Sequence, residues 1–369
     1  MTLFTLLALG LGLFLGPTAP PADQTADVIV PDWTLELAHW VEPGHGIRAL
    51  HPAGDAVLVE DESHGITALD PATGEMLWFT RLPDALHGDV GVSEQRLVLS
   101  TGDRVVVVDS TSGGELHKGL FRTEPAATPV ASAQALFEPS LQKDSLYALT
   151  LGSGSLAWRY RSLGGFHGTT RLVKGAEGNL LLLPCADGTL QALPAGLDLP
   201  EGPRWTLDAG MVVGGPTVED GLVFVATERR RLMCLDASGG RTVWSAGTAG
   251  LPLTAPMVCG DAIVLTTSDG VVAFDREAGF RRWLEPARER PVGGLDGLVV
   301  VRRRNHTLVA RDLQDGRQRT RSLGAFATVH GNRLLDWSDG RSVRASRSTL
   351  VPTEPTETGV PAEPAGSVH

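Results

Sequence analysis

Ala68-Leu69-Asp70-Pro71-Ala72-Thr73-Gly74-Glu75-Met76-Leu77-Trp78 sets the pattern of this chain: an apolar run, an Asp, a Gly four residues on and a Trp eight residues on. The same register returns at Val108-Asp109 with Gly113, at Leu149-Thr150 with Gly154 and Trp158, and at Leu235-Asp236 with Gly240 and Trp244. It returns again at Phe274-Asp275 with Gly279 and Trp283, and at Arg311-Asp312 with Gly316. A unit of roughly 40 residues built on one hairpin cannot bury its own apolar faces, so repetition at this period means a propeller or a solenoid.

Each part of the unit has a physical task. The run before the Asp is apolar or alternating, as in Gly65 to Leu69, Arg104 to Val108 and Val271 to Phe274, which suits a strand held between neighbouring sheets. An Asp carboxylate accepts turn amides, and a Gly four residues on takes the positive φ that a tight hairpin needs. The chain then returns as an outer strand whose Trp fills the gap where one twisted sheet leans on the next.

Strand sets precede hairpins near 47–69, 88–109, 128–150, 170–193, 216–236, 256–275, 292–312 and 325–345, which makes eight. The outer strands at Trp78, His117, Trp158, Trp205, Trp244, Trp283 and Arg319 number only seven. The missing one is Pro31-Asp32-Trp33-Thr34-Leu35-Glu36-Leu37, an outer strand with no hairpin before it. The reading is therefore all-β: an eight-bladed propeller of four-stranded antiparallel blades over residues 33–350, closed by an N-terminal outer strand that leaves no sheet edge free. Seven blades with a decayed eighth unit is the alternative. The 44 glycines and 24 prolines, and the lack of any long helical period, agree with many short strands and tight turns.

On these residues the chain resembles the pyrroloquinoline-quinone-like (PQQ-like) repeat β-propellers, and its unit count and N-terminal closure are similar to the non-enzymatic, BamB-type outer-membrane assembly propellers. That resemblance implies a scaffold, although the same repeats also serve quinone-dependent dehydrogenases. The chain departs from the pattern at His117 and Arg319, where Trp is expected. It departs also at Pro194, which replaces the Asp before an expanded turn, and at Arg344-Ala345-Ser346, where the last repeat is worn.

Leu3 to Leu15 is an apolar stretch followed by small residues and prolines, so residues 1–22 read as a signal peptide or hydrophobic N-terminal segment, although no Lys or Arg occurs before Arg48. Residues 351–369, rich in Pro and Glu, read as a disordered tail. The expected location is periplasmic or extracellular, with a membrane anchor as the alternative.

The net charge of −11 is uneven: residues 1–200 carry 11 bases against 23 acids, and residues 201–369 carry 21 against 20. Arg229-Arg230-Arg231 and Arg302-Arg303-Arg304 fall at second-to-third-strand turns of blades five and seven, on the face of the blade-to-blade loops. The guanidinium fork suits carboxylate and phosphate, so this face is a candidate partner surface, against the plain reading of solvated turn arginines. His45, His87 and His167 each precede a Gly near an innermost strand and join the candidate partner-binding residues. His64 and His306 sit in turns of the same face. Their spacing puts them on different blades, so no metal is expected. Nucleic acid is not expected, given the acidity and the lack of a basic stripe interleaved with aromatics. Cys185, Cys234 and Cys259 read as buried thiols, with a Cys234–Cys259 disulfide as the alternative.

Two functions of different classes follow. The first is a non-catalytic monomeric scaffold that binds a protein or peptide through its loop face and funnel, with no cofactor and no catalytic residue. The second is a quinone-dependent dehydrogenase, which by its family would need Ca²⁺, a catalytic Asp and an adjacent-cysteine pair. No two cysteines adjoin here. A fainter third, cleavage of a polysaccharide, would draw on Asp89, His87 and His167.

Overall fold

A computed structural model describes residues 29–36, 46–122, 124–140, 144–162, 164–320, 327–331, 333–337 and 342–348. The N-terminal segment 1–22 and the tail 351–369 lie outside these residues, as does His45. The described chain forms eight antiparallel sheets arranged as a propeller, and no helix occurs among the described residues.

Blade one runs outward from the axis through Ile47–Ala53, Ala56–Asp61, Gly65–Leu69 and Met76–Arg81. Blades two to six repeat that order, with innermost strands Gly91–Ser93, Val130–Ala131, Arg171–Gly175, Thr217–Glu219 and Met257–Cys259. In blade seven three strands, Arg290–Leu295, Leu298–Arg302 and Leu308–Asp312, are followed by a single bridge from Arg311 to Gln318 where the outer strand begins elsewhere. Arg319 stands there in place of Trp and is held by the carboxylates of Asp312 and Asp315.

Blade eight is built from both ends of the domain. Ala327–His330, Arg333–Asp336 and Ser342–Ser348 pair in order, and Ile29–Glu36 adds the outer strand with Trp33 opposite Ala345 and Thr34 opposite Arg344. Leu35 packs with Leu335, Val343 and Ala345 against Ile47, Leu50, Val57, Val59 and Leu69 of blade one. The ring is therefore closed, and blades eight and one are further joined by His330 Nε2 and the Gly54 carbonyl at 2.6 Å.

The core is divided among the seams. Successive residues of a central strand face opposite seams: Leu136 packs with Val98, Val105 and Val107 of blade two, and Phe137 with Leu181, Leu183 and Leu193 of blade four. This explains why the central strands are apolar at every position rather than alternating. Among the described residues each of the eight seams has its own cluster, so the apolar area that a lone blade would expose is buried only in the ring.

The Asp, Gly and Trp of the repeat act across the seam. Asp109 Oδ1 accepts the amides of Thr111 and Ser112, and Asp275 Oδ1 those of Glu277 and Ala278. The glycines take positive φ, +68° at Gly240 and +72° at Gly279. Each hairpin also receives the Trp of the preceding blade: the indole Nε1 of Trp78, Trp205, Trp244 and Trp283 donates to the carbonyl of Ser110, Ala237, Arg276 and Leu313. A Cβ on Gly240 would lie 2.5 Å from Trp205, so the glycine is required by the neighbouring ring as well as by the turn. Trp158 reaches the carbonyl of Gly196 in the expanded turn after Pro194, and His117 fills the Trp position against Gly154.

Candidate partner-binding face

The loops that lead from one blade to the next pair with the ends of the second strands, through the bridges Leu86 to Thr101, Pro125 to Ser140, Phe166 to Cys185, Val212 to Thr227 and Pro252 to Thr267. Second-to-third-strand turns and blade-to-blade loops thus share one face, and the Asp–Gly hairpins occupy the other.

Both arginine triplets lie on the loop face, with blade six between them, and the structure sorts their members. Arg229 reaches Asp208 at 2.8 Å, Arg231 donates to Ser245 Oγ, and Arg303 turns inward to Glu289 and Gln318. Arg302 also has a partner. Arg230, at φ +57° in its turn, and Arg304 are exposed at their tips. Beside Arg230, whose carbonyl accepts Thr248 N, the loop into blade six exposes Leu251 and Leu253. The usable part of this face is thus one guanidinium from each turn with an apolar loop next to the first, which triplet counting does not reveal.

Inward-turned Arg303 belongs to a buried network in blade seven. Arg311 Nε meets Glu289 Oε2 at 2.7 Å, with both side chains almost fully buried. Burial opposes ionisation of Glu289, but hydrogen bonds from Arg311 and Arg303 hold its carboxyl below the usual range. In blades one to six the residue at the Arg311 position is Leu69, Val108, Leu149, Leu193, Leu235 or Phe274.

The histidines remain apart. His87 Nδ1 accepts the amide of Gly102, and His167 lies two blades further round. His64 and His306 take positive φ in their turns. Among the described residues no group of three or more His, Cys, Asp or Glu is placed to hold a metal ion.

Sequence reasoning missed His51, on the innermost strand of blade one, whose Nε2 lies 3.1 Å from Glu60 Oε2. Burial would raise the Glu60 pKa, yet the hydrogen bonds from His51 and the Leu86 amide, with the charge of Arg48, lower it. All three cysteines are free and buried, so the alternative disulfide does not form, and burial pushes the Cys234 thiol up to about 11 and the Cys259 thiol up to about 12.

A closed ring of eight blades latched by Asp, Gly and Trp defines a PQQ-like repeat propeller. The sequence model of the family PQQ_2, described as outer membrane protein assembly factor BamB, matches residues 31–139 and 195–350, and the chain belongs to that family. The unmatched stretch takes in the outer part of blade three and most of blade four, where Thr150 and Pro194 stand in place of Asp.

Among curated proteins, the outer membrane protein assembly factor BamB of Burkholderia pseudomallei (strain K96243) is 23% identical over 309 residues, covering 76% of this chain and 79% of its own. BamB of Nitrosomonas eutropha (strain DSM 101675 / C91 / Nm57) is 23% identical over 236 residues, 60% of this chain and 56% of its own. The crystal structure of BamB from Moraxella catarrhalis superposes with a TM-score of 0.64 at 20% identity, covering 88% of this chain and 99% of that one. The computationally designed Ika8 protein superposes with a TM-score of 0.57 at 14% identity, covering 83% and 98%.

Proposed function

We propose that this protein is a non-catalytic scaffold of outer-membrane protein assembly, which docks a protein or peptide partner on its loop face. The observation that carries the reading is family membership over most of a closed ring, in which the Asp and Trp side chains of the repeat are spent on turns and seams. Function in such a disc resides in the surface it presents. On the loop face, exposed Arg230 and Arg304 offer charge and Leu251 and Leu253 offer apolar contact, the pairing that recurs at protein interfaces. Residues 1–22 act as an export segment that delivers the propeller to the periplasm, the propeller acts as a monomer, and residues 351–369 form a tail beyond it.

The test is affinity capture of the tagged, full-length protein from cell envelopes after brief crosslinking, with the wild type compared with an Arg230→Ser, Arg304→Ser, Leu253→Asp variant. The wild type is expected to recover outer-membrane assembly components, and the variant to lose them while keeping its melting temperature. An identical set of partners for both proteins would dismiss the loop face.

A further inference from the structure

A cavity of about 460 Å³ opens on the opposite, hairpin face of the ring. It is lined by Ser93, Glu94, Gln95 and Arg96 of blade two, Ala133 of blade three, and Leu172, Val173, Lys174 and Asn179 of blade four. Its cause is local. The innermost strand of blade three is only Val130–Ala131, whereas that of blade four is Arg171–Gly175. The short turn of blade three therefore leaves a gap that its neighbours bridge: Asn179 Nδ2 donates to Glu94 Oε1 at 2.7 Å, joining blades two and four across it. Glu94 takes φ +52° in its turn, as Gly54, Asp220 and Gly260 do in theirs.

The wall carries donors without acceptors. Ser93 is 7% exposed, and its Oγ has no hydrogen-bond partner. Arg96 Nε is likewise buried and unpaired. The Arg96 Nη1 group donates to the neighbouring Gln95 carbonyl and lies 3.8 Å from Asp109 Oδ2, while Asp109 Oδ1 holds the amides of Thr111 and Ser112. Lys174 is exposed at the rim. Buried donors of this kind are rare because each forgoes the hydrogen bond it had in water.

We propose that this cavity is a binding site for a monocarboxylate with a short apolar stem, whose oxygens accept from Ser93 Oγ, Arg96 Nε and Lys174 Nζ. Arg96 and Lys174 stand against the carboxylates of Glu94 and, 3.8 Å from Arg96, Asp109, so the wall is close to neutral and takes one negative charge through its unpaired donors. A dianionic phosphate would meet Glu94 with a surplus charge. Ala133, Leu172 and Val173 supply the apolar part of the wall. The C-terminal carboxylate of a peptide and a free short-chain acid both have this chemistry. The site is independent of the loop face, since it lies on the other side of the disc.

Ligand-observed NMR titration of the whole protein tests it with three probes: acetyl-Ala-Leu as the free acid, the same peptide as its C-terminal amide, and hexanoate. The free acid is expected to bind, and the amide at least tenfold more weakly. Arg96→Gln should weaken the acid at least tenfold, and so should Lys174→Gln, which is at the exposed rim and leaves folding untouched. Hexanoate binding as tightly as the acid identifies a free acid as sufficient, and binding at least tenfold weaker identifies a chain terminus; either supports the site. Equal binding of acid and amide, no binding of the acid or hexanoate at millimolar concentration, or acid binding unchanged by both substitutions would overturn it.

Discussion

Glu138 should make this propeller less stable in mild alkali, and its replacement by Gln should remove the effect. The side chain is 3% exposed on the second strand of blade three, at the position occupied in other blades by Val59, Leu99, Leu183, Val225 and Leu265. Its Oε1 has no partner, and its Oε2 receives only the Arg122 amide at 3.4 Å. Burial therefore outweighs that bond and the Arg122 charge, and the carboxyl is pushed up from its ordinary 4.5 to about 7.

The sign follows from which state holds the proton. The unfolded chain releases it near pH 4.5 and the folded chain only near pH 7, so folding becomes less favourable as pH rises through that window and is level above it. At about 1.4 kcal/mol per unit, the full loss is about 3 kcal/mol, of which some 2 to 3 kcal/mol falls between pH 5 and pH 8. Urea unfolding of wild type and Glu138→Gln at these two pH values measures it, because all other titrations are common to both proteins and cancel in the difference. The variant is expected to gain about 2 kcal/mol or more over the wild type on going from pH 5 to pH 8. A difference between the two proteins that does not change with pH would refute the reasoning.

Two further substitutions test the seams. Gly240→Ala must place a methyl 2.5 Å from Trp205 at φ +68°, and should cost roughly 2–4 kcal/mol in urea unfolding. Gly202→Ala, with nothing within 4 Å, should stay within about 0.5 kcal/mol. Arg311→Leu leaves Glu289 buried with only the half-exposed Arg303 and should cost about 3–5 kcal/mol, and adding Glu289→Leu should recover most of it. A double variant no more stable than the single one would show that the pair holds blade seven together by more than charge.

The ring was legible because its signal is local. Asp70, Gly74 and Trp78 lie within one hairpin, and six occurrences in register gave the blade count and the missing outer strand. The second reason for the glycines was not legible, since the ring that excludes a Cβ from Gly113 belongs to Trp78, 35 residues earlier and on another blade. Glu138 could have been found by laying the second strands over one another, where only it and Asp336 of blade eight carry a charge, and Asp336 is paired with Arg344. The arginine triplets drew attention through composition, but only coordinates show Arg303 turned inward and Arg230 left outside. The hairpin-face cavity left no motif, because it arises from the shortness of the Val130–Ala131 strand between two longer neighbours.

The join between the two ends of the domain is the feature on which the disc depends. Thr34 and Arg344 face each other in the strand pair that makes it, so Thr34→Cys with Arg344→Cys should crosslink within the folded monomer under mild oxidation. Pairing Thr34→Cys with Ser245→Cys, on the outer strand of blade five, should not. Mass mapping that finds residues 34 and 344 joined, with the bond lost when oxidation is carried out in urea, is the outcome a closed ring requires. No 34–344 bond in the native protein, or equal capture by position 245, would contradict it.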